Sequence, residues 1–121
     1  MLRYKAFQAG ASTQLAAAMS GDCATGLTAT GTTQADAYAM NFGKCAFSTV
    51  AAGTGAILSS KAGDGDSQLV FNGGANPLKV YPPSGAQINQ LGTNAPALLP
   101  VQTPCEFHRL STTLWTGVLS A

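Results

Sequence analysis

The segment 69–85, LVFNGGANPLKVYPPSG, limits what this chain can fold into. Leu69, Val70 and Phe71 form one short run of strand-favouring residues, and Leu78, Val80 and Tyr81 form another. Between them stand Asn72, Gly73, Gly74, Ala75, Asn76 and Pro77. Glycine and asparagine accept positive φ, while proline fixes its own φ and has no N–H for a ladder. Two such runs around such a cluster predict a β-hairpin. Pro82 and Pro83 then stop the second strand, because neither can donate to a sheet.

The same alternation runs from Lys44 to the C-terminus. Ala46, Ser48 and Val50 alternate with Phe47 and Thr49, and Gly53-Thr54-Gly55 marks a turn into Ala56-Ile57-Leu58. Gln87-Ile88-Asn89 and Leu98-Leu99 read as short strands around Gly92-Thr93-Asn94. Pro96, Pro100 and Pro104 exclude helix and confine their segments to edges or bends. Further on, Cys105, Phe107 and Arg109 share one face of a strand, and Glu106, His108 and Leu110 the other. Ser111-Thr112 makes the last turn, and Leu114, Trp115, Val118 and Leu119 close the domain. Period-two patterning assigns Phe71, Val80, Ile88, Phe107 and Trp115 to the core or to subunit contacts.

Residues 1–43 follow no such pattern. Leu2, Tyr4 and Phe7 are the large apolar groups before Leu15, and residues 15–19 form a short helix candidate stopped by Gly21. Between Gly21 and Thr33 the one bulky apolar residue is Leu27. A segment this poor in apolar surface orders only when something covers it. Two readings fit: an attachment arm carrying Leu2, Tyr4, Phe7, Leu15 and Leu27, or a loop. Thr33 and Asp36 have capping-box spacing, and residues 37–42 fit either a turn or two of helix or an extended segment. The expected organisation is an N-terminal arm or partly helical extension, 1–43, before a β-domain, 44–121. That domain is expected to be all-β, a compact antiparallel sandwich or small barrel.

Composition narrows the function classes. Charged residues are 9% of the 121-residue chain, against about 25% in ordinary soluble domains, and none lies between Val80 and Cys105. Either copies of the chain or a partner cover much of the surface, or Thr, Ser, Gln and Asn solvate it. Net charge is +1, and Arg3, Lys5, Lys44, Lys61, Lys79 and Arg109 are scattered, so no nucleic-acid partner is expected. No apolar run approaches the roughly 20 residues of a membrane span. Gln8, Gly10, Ser12, Thr13 and Gln14 break up any signal-peptide core, so no targeting segment is read.

The chemistry-bearing residues are few. Cys23, Cys45 and Cys105 are widely spaced, and with the single His108 they supply no zinc pattern, so free buried thiols are expected. Asp64-Gly65-Asp66 resembles the start of an EF-hand loop, but the expected glycine is Leu69 and the final glutamate is Ala75. Glu106, His108 and Ser111 are the residue types of a catalytic triad. Crowded onto one strand and its turn, they cannot adopt triad geometry. The expectation is no enzyme, no cofactor and no metal.

The pattern through residues 72–91, Asn-Gly-Gly-Ala-Asn-Pro-Leu followed by Val80-Tyr81-Pro82, Gly85, Ile88-Asn89 and Leu91, resembles a group of small virion proteins of tailed bacteriophages. The phenylalanine strand at Phe107 and Trp115 near the C-terminus extend the likeness, as does Thr49–Gly55 upstream, over roughly residues 34–121. The resemblance implies a capsid decoration (cement) or head-fibre protein, made in the host bacterial cytoplasm and located on the capsid surface of the virion. It also implies a homotrimer whose partner is the major capsid protein. A fibre module that binds a host glycan is the alternative, for which Tyr81 beside Pro82-Pro83 is the suitable aromatic.

Overall fold

The computed structural model describes residues 23–118. They form ten strands and, among the described residues, no helix. In chain order these are β1 (Cys23–Thr28), β2 (Tyr38–Ala39), β3 (Lys44–Thr49), β4 (Gly55–Ile57) and β5 (Ser67–Asn72). There follow β6 (Leu78–Tyr81), β7 (Gln87–Ile88), β8 (Ala97–Leu99), β9 (Thr103–Ser111) and β10 (Leu114–Gly117). One sheet has six strands in the order β1-β3-β5-β9-β10-β7, and the other has four in the order β2-β4-β6-β8.

From β1 to β6 the chain visits the two sheets alternately. Strands β1, β3 and β5 are parallel neighbours, as are β2, β4 and β6. Each coil therefore lays one strand on each sheet and stacks on the coil before it, a solenoid-like arrangement. This corrects the expected antiparallel sandwich or small barrel; the all-β class stands. The chain then reverses. Strand β8 runs antiparallel to β6, β9 to β5 and β10 to β9, while β7 lies parallel to β10 at the far edge.

The expected hairpin at 69–81 is also corrected, since β5 and β6 lie in different sheets. Its turn cluster makes a corner between sheets. The Gly74 N–H donates to Asn72 Oδ1 (3.0 Å), the Gly73 N–H to the Phe47 carbonyl (2.7 Å), and Asn76 Nδ2 to the Val50 carbonyl (2.9 Å). This corner thus rests on the corner of the coil below. A Cβ on Gly74 would come within 2.7 Å of Val50, so the stacking requires glycine there.

Inward-facing residues form ladders across the strands. Cys45, Val70 and Cys105 make one row in the six-stranded sheet, and Tyr38, Ala56, Val80 and Ala97 make one in the other. Phe47, Leu78, Ile88, Leu99, Phe107 and Trp115 fill the space between the sheets. Small side chains in these rows let the sheets approach closely around the few large ones.

The described β-structure begins before Lys44. β1 pairs with β3 and β2 with β4, so residues 23–28 and 38–39 belong to the sheets, and none of residues 23–43 is helical. Leu27 pairs with Phe47 and packs on the core, which corrects its reading as an attachment residue. Half of the capping box does form, with the Thr33 N–H donating to Asp36 Oδ1 (2.8 Å), but it closes a turn that leads into β2. Leu2, Tyr4, Phe7, Leu15 and the helix expected at 15–19 lie outside the described residues, as does Leu119. Val118 is 96% exposed and does not close the core.

Candidate functional site

The polar side chains buried in this fold are committed to its corners. Asn72 Nδ2 donates to the carbonyls of Asn76 (2.9 Å) and Leu99 (3.0 Å). Gln68 Oε1 accepts from the Ser59 N–H (3.0 Å), and its Nε2 donates to the Phe42 carbonyl (2.8 Å). Asn89 exchanges two hydrogen bonds with the Gly117 backbone, at 2.9 and 3.1 Å. Among the described residues, every buried side-chain nitrogen and oxygen has a partner. An inward group left over to meet a ligand is therefore missing from this part of the chain.

The triad residue types do not converge. His108 Nε2 lies 3.2 Å from Glu106 Oε1 on the exposed side of β9, whereas Ser111 Oγ faces Thr113, with Oγ1 at 3.4 Å and the N–H at 3.3 Å. The acidic loop is tied to β9 instead of being open to a cation. Arg109 Nε sits 3.2 Å from Asp64 Oδ1, and Arg109 also donates to the Ala62 carbonyl. Asp66 Oδ2 accepts from the Gly63 N–H at 2.8 Å. No group of three His, Cys, Asp or Glu side chains is placed to hold a metal among the described residues.

Cys45 and Cys105 are buried, and burial pushes both thiols above their ordinary pKa; Cys23 is exposed. No disulfide joins them. Tyr81, the aromatic suited to a glycan surface, is buried and donates to the Thr32 carbonyl (3.3 Å). Burial, then the charge of Asp36, raises its pKa. Asp36 itself is held below the usual carboxylate range by hydrogen bonds from the Thr33 N–H and hydroxyl.

Of the five core or contact residues, Val80, Ile88, Phe107 and Trp115 are buried within the chain. Phe71 is different. Gln68, Val70 and Asn72 point inward on β5, so Leu69 and Phe71 point out and are half-buried. The registered pairs set Phe71 between Ala46 and Pro104, and Leu69 between Lys44 and Glu106. Across β3, β5 and β9 the outer face of the six-stranded sheet thus carries two adjacent rows: Ala46–Phe71–Pro104, wholly apolar, and Lys44–Leu69–Glu106, apolar at its centre with opposite charges on either side, while β1 continues the sheet beyond β3 and β10 beyond β9. Leu110, further along β9, is 56% exposed. On the other sheet Leu98 of β8 is 57% exposed. Sequence pattern marked Phe71 as a buried or contact position, and pairing register, which the pattern did not contain, assigns its side.

No protein-family profile, curated protein or solved structure matches the chain.

Proposed function

We propose that the chain is a structural virion protein, a capsid decoration protein that binds as a homotrimer to the outside of a bacteriophage head and braces contacts between major capsid subunits. The observation that carries this reading is the outer face of the six-stranded sheet, where Ala46, Leu69, Phe71 and Pro104 lie side by side as an apolar patch on a chain with 9% charged residues. A face of this kind favours contact with protein over free solution. The buried amides support the same reading. The motif that resembles phage virion proteins supplies Asn72, Gly74, Asn76 and Asn89, which fasten corners of the fold. A motif spent on rigidity suits a brace.

Within this function, one trimer presents three copies of each weak capsid contact, and effective concentration makes them act together. Residues 1–22, which carry Leu2, Tyr4, Phe7 and Leu15, are the proposed attachment segment. The test mixes purified protein with heads lacking accessory proteins and measures occupancy by cryo-electron microscopy, for the full chain and for a deletion of 1–22. Saturable binding of the full chain in threefold clusters supports the proposal, and reduced occupancy of the deletion assigns attachment to that segment. No binding by the full chain contradicts the function, and equal occupancy contradicts the role of 1–22.

A further inference from the structure

We infer that the open end of the stack, the edge formed by β1 and β2, is the docking site for residues 1–22, which add one further coil with residues 2–7 along β1 and 15–17 along β2. The inference goes beyond the capsid reading and does not rest on it. Its basis is a difference between the two ends of the fold. At the far end the chain reverses, and the inward residues of the edge strands are sealed: Ile88 of β7 and Leu99 of β8 are fully buried. At the near end β1 and β2 are the edges, and their inward residues Leu27 and Tyr38 are only half-buried. The residues paired with these two, Phe47 and Ala56, are fully buried. Among the described residues, the core therefore runs out to the near end without a layer to cover it. On the same side β1 offers the six-residue edge CATGLT, which has no charge or proline to blunt it.

The sequence just before β1 has what that layer needs. Each coil settles on the one before it at a regular step: Lys44 pairs with Cys23 and Leu69 with Lys44, steps of 21 and 25 residues. In the other sheet Ala56 pairs with Tyr38 and Val80 with Ala56, steps of 18 and 24. Residues 1–22 are enough for one such coil. A step of 23, inside that range, brings apolar groups onto the open layer in both sheets at once: Tyr4 beside Leu27, Ala6 beside Ala29, Leu15 beside Tyr38 and Ala17 beside Met40. Leu27 and Ala29 in one sheet, Tyr38 and Met40 in the other, are the inward side of the first described coil. Arg3 and Lys5 then alternate to the outer side, where a charge costs little. Propensity alone predicts a short helix at Leu15–Met19, but a run of that length is marginal by itself, whereas a strand edge supplies backbone partners.

Cross-linking in the full chain tests this directly. In a Cys23→Ser background, which leaves only the buried Cys45 and Cys105, Lys5→Cys is combined with one of two partners. Thr28→Cys is its outward neighbour on β1 at the step of 23, and Ser48→Cys lies one strand further in, on β3, and is equally exposed. Neighbouring strands stand about 4.8 Å apart and next-nearest ones about twice that, so only the first pair comes within disulfide reach. Under mild oxidation the 5–28 disulfide is expected to form at least tenfold faster than the 5–48 one, read by mass spectrometry of the digested protein. Equal rates, the behaviour of a tether that docks nowhere, overturn the inference. Stability gives a second reading. Tyr4→Asp and Leu15→Asp set a charge against the core, so each is expected to lower the melting temperature and speed amide hydrogen exchange over 23–28, as deletion of 1–22 does. Arg3→Ser, on the outer side, is expected to do neither. A deletion that melts and exchanges like the full chain overturns the inference, and unchanged melting of both aspartate variants overturns the step of 23. No capsid enters these measurements, so a negative result leaves the proposed function to its own occupancy test.

Discussion

Asn72 holds three backbone groups with one side-chain amide: the Gly74 N–H and the carbonyls of Asn76 and Leu99. It is fully buried, so no water replaces a lost partner. Asn72→Ala is expected to cost about 1–3 kcal/mol in urea unfolding, the penalty of leaving buried backbone groups unpaired. A midpoint equal to wild type would mean that this corner does not fasten the coils. The thiols give a second test at this scale. Cys45 and Cys105 are buried with raised pKa and Cys23 is exposed, so one thiol of three is expected to react rapidly with a disulfide reagent in the native protein, and all three in denaturant. Three fast thiols under native conditions would contradict the inward row Cys45–Val70–Cys105.

Among the elements, β10 holds the end of the six-stranded sheet together. It pairs antiparallel with β9 and parallel with the short β7, and the Asn89 N–H donates to the Trp115 carbonyl (2.8 Å). Trp115 is 1% exposed, so Trp115→Ala is expected to cost about 3–5 kcal/mol and to lower the melting temperature. An unchanged melting temperature would remove β10 from the core. The strands themselves were largely readable from the chain: period-two alternation marks β3, β5, β6 and β9, and the prolines bound β8. Their pairing was not. Asn72–Pro77 is as good a turn cluster for a corner as for a reversal, because both use residues that bend the chain and allow close approach, and this corner does so without a positive φ. What decides between them is Val50 and Phe47 in the coil below, and nothing in the local sequence reports them. Strands β1 and β2 escaped for a related reason. Their residues, CATGLT and YA, are poor in large apolar groups, and β1 gains its order by lying alongside β3. Leu69 and Phe71 look like core residues in sequence and turn outward only once the register of β5 is known.

At the scale of the whole molecule, the low charge and the outward apolar rows belong to one argument. A solenoid-like stack has open strand edges and two outer sheet faces, and this one carries few charges to keep them apart from other protein surfaces. The proposed attachment to a shell would use those faces, and the corner amides Asn72 and Asn76 would hold the coils behind them in place. The central claim is therefore a location. Cryo-electron microscopy of tailed-phage particles purified from cells that express this protein with a gold-binding tag tests the proposed location most directly. The account predicts label on the outer surface of the head, clustered about threefold positions. Label at the tail or fibre tips, or particles that carry none of the protein, would contradict it.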